Sequence, residues 1–130
     1  MQIDNTLLDK LTAQAKESPR LRMNLDLRNS DADSSQRMLN AIELGSVVPV
    51  HRHPATSETL VVLRGRVVEE YYSSEGVVEA SFDLASGGPI CALNIPAGQW
   101  HTLRALDPGT VILEMKDGPY EPIQECDILK

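Results

Sequence analysis

The sequence of 130 residues contains few cysteines, which limits the chemistry that thiols can supply. Its two cysteines, Cys91 and Cys126, lie far apart and match neither a CxxC pair nor a zinc-ribbon spacing. Small secreted domains usually contain cysteine at higher density, because disulfides stabilise them. We therefore expect reduced thiols in a cytoplasmic protein.

Positive charge and long apolar segments are also scarce. The chain has 12 Lys and Arg against 19 Asp and Glu, a net charge of −7, so it lacks the basic surface that binds a phosphate backbone. No apolar run approaches the length of a membrane span, and the N-terminus lacks the basic and apolar regions of a secretion signal. We therefore expect no nucleic-acid partner and no membrane partner.

The first regular element predicted is a helix over residues 5–17, since apolar side chains recur there on one face of a 3.6-residue period. These side chains are Leu7, Leu8, Leu11 and Ala15. Thr6 and Asp9 have the spacing of a capping box, and Pro19 ends the helix. The segment 18–35 is polar and irregular, and we expect it to cover the surface.

Short apolar runs of strand length, separated by glycine and proline turns, fill residues 36–116. The runs are residues 37–44, 46–53, 58–65, 66–72, 77–84, 90–96, 100–106 and 110–116. Short strands at this spacing predict an all-β sandwich or barrel. We therefore divide the chain into an N-terminal helix and covering segment (1–35), a barrel (36–116) and an extended C-terminal tail (117–130).

Two of these runs, residues 59–65 and 110–115, are apolar on both faces. Strands of that kind are buried on both sides. We expect the barrel to cover one side and a helix or a second subunit to cover the other. A homodimer is the expected assembly.

Five acidic residues surround the hairpin predicted from the fourth and fifth runs: Glu69, Glu70, Glu75, Glu79 and Asp83. No basic residue lies between Glu69 and Asp83. Charged side chains on exposed strands discourage edge-to-edge aggregation, so we expect these acids to be solvated.

All three histidines of the chain are candidates for one metal site. His51 and His53 are two residues apart in a strand-like run, so their imidazoles should project from the same face. Glu58 begins the next apolar run, and His101 follows a Pro-Ala-Gly turn. Three imidazoles and one carboxylate are a ligand set suited to a divalent transition metal, with positions left open for water or substrate.

The same residues resemble a known family. From Gly45 to Gly65 the sequence is similar to the first cupin motif, G(x)5HxH(x)4E(x)6G, at every fixed position. Residues 96–101 resemble the core of the second motif, PxGxxH. Ile90 and Ala105 depart from the glycine and asparagine of the second motif, and neither is at a ligand position.

More narrowly, the chain is similar to the WbuC-type cupin metalloproteins, small bacterial proteins often encoded near surface-polysaccharide genes. The similar strings are SPRLRMN, QRMLNAIELGS, HRHP, ETLVVLRG, IPAGQWHTL and DGPYEP. The resemblance implies a cupin double-stranded β-helix, a jelly-roll barrel, with a short N-terminal helix. It also implies one divalent transition metal, iron, manganese, zinc or nickel, held by His51, His53, Glu58 and His101. The activity of that family is not settled.

In the fold that the resemblance implies, the strand 37–44 lines the barrel, so Arg37 and Asn40 become candidate substrate contacts. A guanidinium near a metal suits a phosphate or carboxylate. Tyr120 either closes the pocket or packs the tail. Arg20 and Arg22 lie in the covering segment, where we expect plain surface positions.

These features favour a metal-dependent enzyme that acts on a small polar, anionic molecule such as a sugar phosphate or nucleotide sugar, as an isomerase or epimerase. No histidine is left for proton transfer, so a base would be Glu43, Glu114, a tyrosine or a metal-bound hydroxide. An Fe(II) dioxygenase is one alternative. A metal or small-molecule binding module without catalysis is another.

Overall fold

The structure is a computed structural model that describes all 130 residues. One α-helix precedes eight strands, and a short 3-10 helix lies near the C-terminus. The elements are α1 (Asn5–Glu17), β1 (Arg22–Asp26), β2 (Ser35–Ile42), β3 (Glu58–Arg64), β4 (Arg66–Tyr72), β5 (Val78–Ala85), β6 (Ala92–Ile95), β7 (Trp100–Ala105), β8 (Thr110–Asp117) and the 3-10 helix Glu125–Asp127. The all-β architecture with one N-terminal helix is confirmed.

The strands form two antiparallel sheets. One has five strands in the order β1-β2-β8-β3-β6, and the other has three in the order β5-β4-β7. Strand β8 pairs with β2 on one side and with β3 on the other, so the last strand lies in the middle of the large sheet. This return of a late strand between earlier ones is the jelly-roll arrangement that the resemblance implied.

Helix α1 has the predicted limits but a different N-terminal cap. Asp4 is the capping residue, and its carboxylate accepts a hydrogen bond of 3.0 Å from the backbone nitrogen of Leu7. The capping box predicted from Thr6 and Asp9 is therefore wrong, since both residues already lie inside the helix. Neither this helix nor the 3-10 turn is long and apolar enough to cross a membrane.

Strand β1 lies in the segment expected to be irregular, and that prediction is wrong. Its residues pair antiparallel with β2 from Arg22 opposite Ile42 to Asp26 opposite Met38. Met23 and the apolar residues that follow at every second position pack against the helix cluster. Pairing with β2 places the alternating apolar side chains of this segment on a buried face. The few apolar residues of the segment did not by themselves indicate a strand.

Residues 46–53 do not form the predicted strand. Only His51 makes isolated β-bridges there, to His101 and to Ile128. Pro49 has no backbone N–H to donate to a ladder, so the run stays irregular on either side of the bridges. The backbone nitrogens and oxygens of His51 and His101 still exchange two hydrogen bonds of 3.0 and 2.8 Å, which bring the two motifs together.

The C-terminal tail has no regular secondary structure from Gly118 to Gln124 and then turns through the 3-10 helix, where an extended chain was expected. The Asp127 carboxylate accepts a 2.8 Å bond from Nε of Arg52. The backbone nitrogen of Leu129 donates to the carbonyl of Val50 at 2.8 Å. These contacts attach the tail beside the histidine segment. Both cysteines are free and exposed.

The large sheet separates two apolar clusters. One, between the two sheets, consists of Ile42, Leu60, Val62, Val67, Leu84, Ala105 and Ile112. The other, between the large sheet and α1, consists of Leu8, Leu11, Ala15, Leu39, Ala41 and Val111. Strands β3 and β8 thus contribute to both sides of the sheet, which agrees with the prediction that a helix covers their outer face.

Candidate metal centre

Three imidazoles converge at one end of the barrel. His51 and His53 come from the irregular segment before β3, and His101 comes from β7. One ring nitrogen from each residue lies within 4.8 Å of the other two. The backbone bridge between His51 and His101 fixes this convergence, because it places residues distant in sequence side by side.

Hydrogen bonds orient two of the rings. His51 Nδ1 lies 2.8 Å from the carbonyl of Pro49, a geometry in which Nδ1–H donates and Nε2 is left as the lone-pair atom. His101 Nδ1 lies 2.5 Å from Oε1 of Glu69. When Nδ1–H donates to this oxygen, Nε2 of His101 is the lone-pair atom. Such partners fix the tautomer and direction of histidines that bind metals.

Glu58, the first residue of β3, faces these rings. It is 5% exposed, and its Oε2 lies 3.8 Å from His53 Nε2 and 3.6 Å from His101 Nε2. This oxygen has no hydrogen-bond partner. A buried carboxylate oxygen without a partner is costly, and a cation between it and the imidazoles removes that cost. The residues present therefore fit a divalent transition metal.

Burial keeps the three imidazoles neutral. It lowers the pKa of His51 to about 4, that of His53 to about 3 and that of His101 to about 4. Neutral imidazole is the form that binds a metal. Burial, followed by the charge of Glu114, raises the pKa of Glu58 well above its ordinary value, and a bound cation would act in the opposite direction.

Glu69 is the site residue that sequence reasoning missed. It is 0% exposed on β4, so the expectation of a solvated side chain is wrong. Burial, and then the charges of Glu114 and Glu70, raise its pKa to about 9. The two-residue period of a strand could have indicated this burial, because residues 67 and 69 face the same side of β4. Val67 belongs to the core between the sheets.

A cavity of about 320 Å³ opens over the histidines. Asn40 and Tyr120, two of the predicted substrate contacts, line it, but Arg37 does not. Arg37 instead donates to the Asp33 carboxylate at 3.1 Å. Residues 37 and 40 are separated by an odd number of positions, so on a strand they face opposite sides of the sheet.

Arg20 and Arg22 also line this cavity, where plain surface positions were expected. Nη1 of Arg22 donates to the carbonyl of Val47 at 2.8 Å, which holds that side chain against the segment leading to the histidines. Recognising β1 would have revealed Arg22, because Arg22 and Asn24 share one face of that strand and both line the cavity. Arg20 is exposed and lies before the strand.

Among the carboxylates considered as bases, Glu114 lies in the cavity and Glu43 does not. Oε1 of Glu114 accepts a 3.1 Å bond from Nδ2 of Asn40, and its Oε2 lies 3.9 Å from Nζ of Lys116. Glu43 is instead buried and accepts from the backbone nitrogen of Gly109 at 3.3 Å. Glu114 is thus the carboxylate placed to meet a ligand.

Comparisons with solved structures show what this architecture resembles. The capsular polysaccharide assembling protein CapF from Staphylococcus aureus matches at 17% identity and a TM-score of 0.68, over 85% of this chain and 32% of that one. KdgF from Halomonas sp. matches at 16% identity and a TM-score of 0.62, over 80% and 84% of the two chains. Oxalate decarboxylase from Bacillus subtilis, whose Mn(II) centres have been characterised, matches at 20% identity and a TM-score of 0.60, over 77% and 26%.

These proteins have the cupin fold, and the likeness to them confirms the double-stranded β-helix. The chain spans about a third of the length of CapF. No curated protein sequence matches it. A family described as "Domain of unknown function (DUF6016)" matches residues 3–84, more than half of the chain, a range that includes His51, His53 and Glu58 and ends before His101. The chain therefore belongs to the DUF6016 family, and its fold is that of the cupins.

Proposed function

We propose that this protein is a metal-dependent cupin that acts on a small anionic molecule. His51, His53, Glu58 and His101 would hold one divalent transition metal, with iron, manganese, zinc and nickel as the candidates. The observation that carries the proposal is the convergence of three imidazole nitrogens within 4.8 Å around the unpartnered Oε2 of buried Glu58. The four residues leave open positions for a ligand, as catalytic rather than structural sites do.

The ligand class follows from the cavity. Its volume of about 320 Å³ lies at the lower end of the range for ligand pockets, which is roughly 300–1,000 Å³. Charged side chains of both signs line it: the basic ones are Arg20, Arg22 and Lys116, and the acidic ones are Glu58, Glu114 and Glu121. A sugar phosphate or nucleotide sugar fits these features. The resemblance to WbuC-type proteins, and the likeness to a capsular polysaccharide assembling protein, support a role in surface-polysaccharide synthesis.

The proposed reaction is an isomerisation or epimerisation. When bound, the metal supplies a Lewis acid that polarises a carbonyl oxygen. Glu114 would take a proton from the ligand carbon and return it, since its carboxylate lies in the cavity. The amide of Asn40 fixes one oxygen of Glu114 and directs the other toward Lys116. Tyr120 lines the same cavity from the tail.

Metal analysis tests the first part of the proposal. Protein purified without added metal should contain one transition-metal ion per chain by plasma mass spectrometry. The Glu58→Gln variant should lose most of it, because a neutral amide is a weaker ligand. Glu70→Gln is the matched control, since Glu70 pairs with Arg104 on the surface. Equal metal content in all three proteins would contradict the proposal.

Incubation with ligands in deuterated water tests the reaction. A panel of sugar phosphates, nucleotide sugars and organic acids is followed by NMR for deuterium at carbon and by an oxygen electrode. Deuterium incorporation that is lost in Glu114→Gln, with metal content unchanged, supports the isomerase or epimerase. Oxygen uptake would contradict it and indicate a dioxygenase. A raised melting temperature without any turnover would indicate a binding module.

A further inference from the structure

Two of the eight arginines differ from the rest in their electrostatic partners. Six form an ion pair with a carboxylate: Arg28, Arg37, Arg52, Arg64, Arg66 and Arg104. Arg20 and Arg22 form none, and both line the cavity over the metal centre. The unpaired guanidiniums of this acidic protein are thus together at its ligand site.

The backbone between them is held in an unusual conformation. Leu21 has φ of 57°, the left-handed region that a leucine rarely adopts and that costs energy. Two hydrogen bonds hold it there: Ser46 Oγ donates to the carbonyl of Arg20 at 2.7 Å, and the backbone nitrogen of Glu43 donates to the carbonyl of Leu21 at 2.9 Å. The conformation therefore directs both arginines toward one cavity.

The electrostatic setting of the pair calls for an anion. Burial, followed by the positive charge of Arg20, lowers the pKa of Arg22. The charge of Glu114 acts on Arg22 in the opposite direction, but its carboxylate accepts from Asn40 and lies near Lys116, and it forms no ion pair with either arginine. Two guanidiniums close together that form no ion pair repel each other, and an anionic ligand group would offset that repulsion.

We propose that Arg20 and Arg22 form an anion subsite that binds the phosphoryl group of the ligand. This proposal rests on the proposed function, because the subsite lies in the cavity assigned to the ligand. It narrows the proposed substrate class to phosphate esters. A phosphoryl group carries close to two negative charges at neutral pH and three acceptor oxygens, which match two guanidiniums better than one carboxylate does. The rest of the ligand would then extend toward the metal centre.

Calorimetric titration with inorganic phosphate tests this subsite. The full-length protein is titrated as purified and after removal of metal with a chelator. Phosphate should bind in both preparations, and acetate should bind at least about tenfold more weakly. Arg20→Gln and Arg22→Gln should each weaken phosphate binding by about tenfold or more, and Arg22→Lys by less. Arg66→Gln, which removes the same charge outside the cavity, should bind phosphate as the natural protein does.

Arg20 is exposed and its side chain forms no hydrogen bond or ion pair within the chain, so Arg20→Gln should keep the natural melting temperature and exclude misfolding as a cause. Phosphate affinity unchanged in both glutamine variants, or reduced equally in Arg66→Gln, would overturn the subsite. So would acetate binding as tightly as phosphate. Phosphate binding that vanishes with the metal but survives both substitutions would overturn the subsite and leave the metal proposal standing. Phosphate binding that is lost in both glutamine variants, in protein that contains no transition metal as purified, would support the subsite and contradict the proposed function.

Discussion

The two faces of the large sheet differ in character, and strand β8 shows the contrast. On the outer face, Val111 and Leu113 pack under α1. On the inner face, Ile112 belongs to the core between the sheets, whereas Glu114 and Lys116 line the cavity. Alternate residues of one strand therefore serve stability and ligand binding.

Apolar burial on both faces lets the protein accommodate buried carboxyl groups. Glu58 and Glu69 are buried, each with an oxygen that has no hydrogen-bond partner, and this opposes folding. The helix cluster on the outer face and the core between the sheets offset that cost with apolar burial. Substitutions on the two faces should then separate stability from metal and ligand binding.

The largest expected effect on stability belongs to the outer face. Leu39→Ala removes a side chain that is 0% exposed in the helix cluster, and it should lower the free energy of unfolding by about 2–5 kcal/mol. Denaturant unfolding measures this change. Asn40→Ala, at the next position, is the control for the inner face and should cost much less. Loss of bound metal from folded Leu39→Ala protein would contradict the assignment of stability to the outer face and of metal binding to the inner face.

A smaller effect is expected from the partner of His101. Glu69→Gln keeps an oxygen that can accept from Nδ1 but, unlike the carboxyl group, cannot lose a proton to become a carboxylate when a metal binds. Metal affinity should fall about 10- to 100-fold, which is typical when such a partner of a ligating histidine is changed. Competition with a chromophoric chelator measures the affinity, with Glu70→Gln as the matched control. Unchanged affinity would show that Glu69 does not position His101.

The pH dependence of the metal-free protein sharpens the same contrast. Above about pH 7 the histidines are neutral both folded and unfolded, because their pKa values start at 6.5 and are lowered by folding. Folding raises the pKa of Glu69 from 4.5 to about 9, so the folded state holds a proton that the unfolded state lacks. Stability should therefore fall from pH 7 to pH 9, and it should fall less in Glu69→Gln. Parallel melting curves for the two proteins would contradict this.

The smallest effect is expected from Arg37→Gln. Arg37 lies on the outer face of β2 and pairs with Asp33 in a partly exposed position. Losing such a pair should cost no more than about 1 kcal/mol. Phosphate affinity should be unchanged, because Arg37 does not line the cavity. A clear loss of phosphate affinity would indicate an anion contact on the outer face of the sheet and would contradict its assignment to the cavity.

Sequence reasoning was most successful where local patterns decide the structure. The helix limits and the strands that alternate or carry long apolar runs, such as β5 and β8, follow from periodicity alone. The spacing of His51 and His53 indicated a shared direction, and the structure brings His101 beside them. The proposed metal ligands were identifiable because His51, His53 and Glu58 are close in sequence and His101 follows the Pro-Ala-Gly turn of the second motif.

The elements and site residues that were not predicted depend on pairing between segments distant in sequence. Strand β1 exists because β2 offers it an edge, and residues 46–53 stay irregular because Pro49 has no N–H to donate. Glu69 looked like a solvated acid until β4 placed it behind His101. Arg22 looked like a surface residue until β1 placed it over the cavity, and Arg20, which is exposed, lies just before that strand and lines the same cavity. Charge and polarity alone do not reveal which face of a strand a residue occupies.

Anomalous X-ray diffraction from crystals of the purified protein, recorded at the absorption edge of the metal it contains, tests the central claim most directly. We predict one strong peak per chain, about 2.0–2.2 Å from ring nitrogens of His51, His53 and His101 and from a carboxylate oxygen of Glu58. No peak at this position, or a peak bound by other residues, would contradict the metal centre.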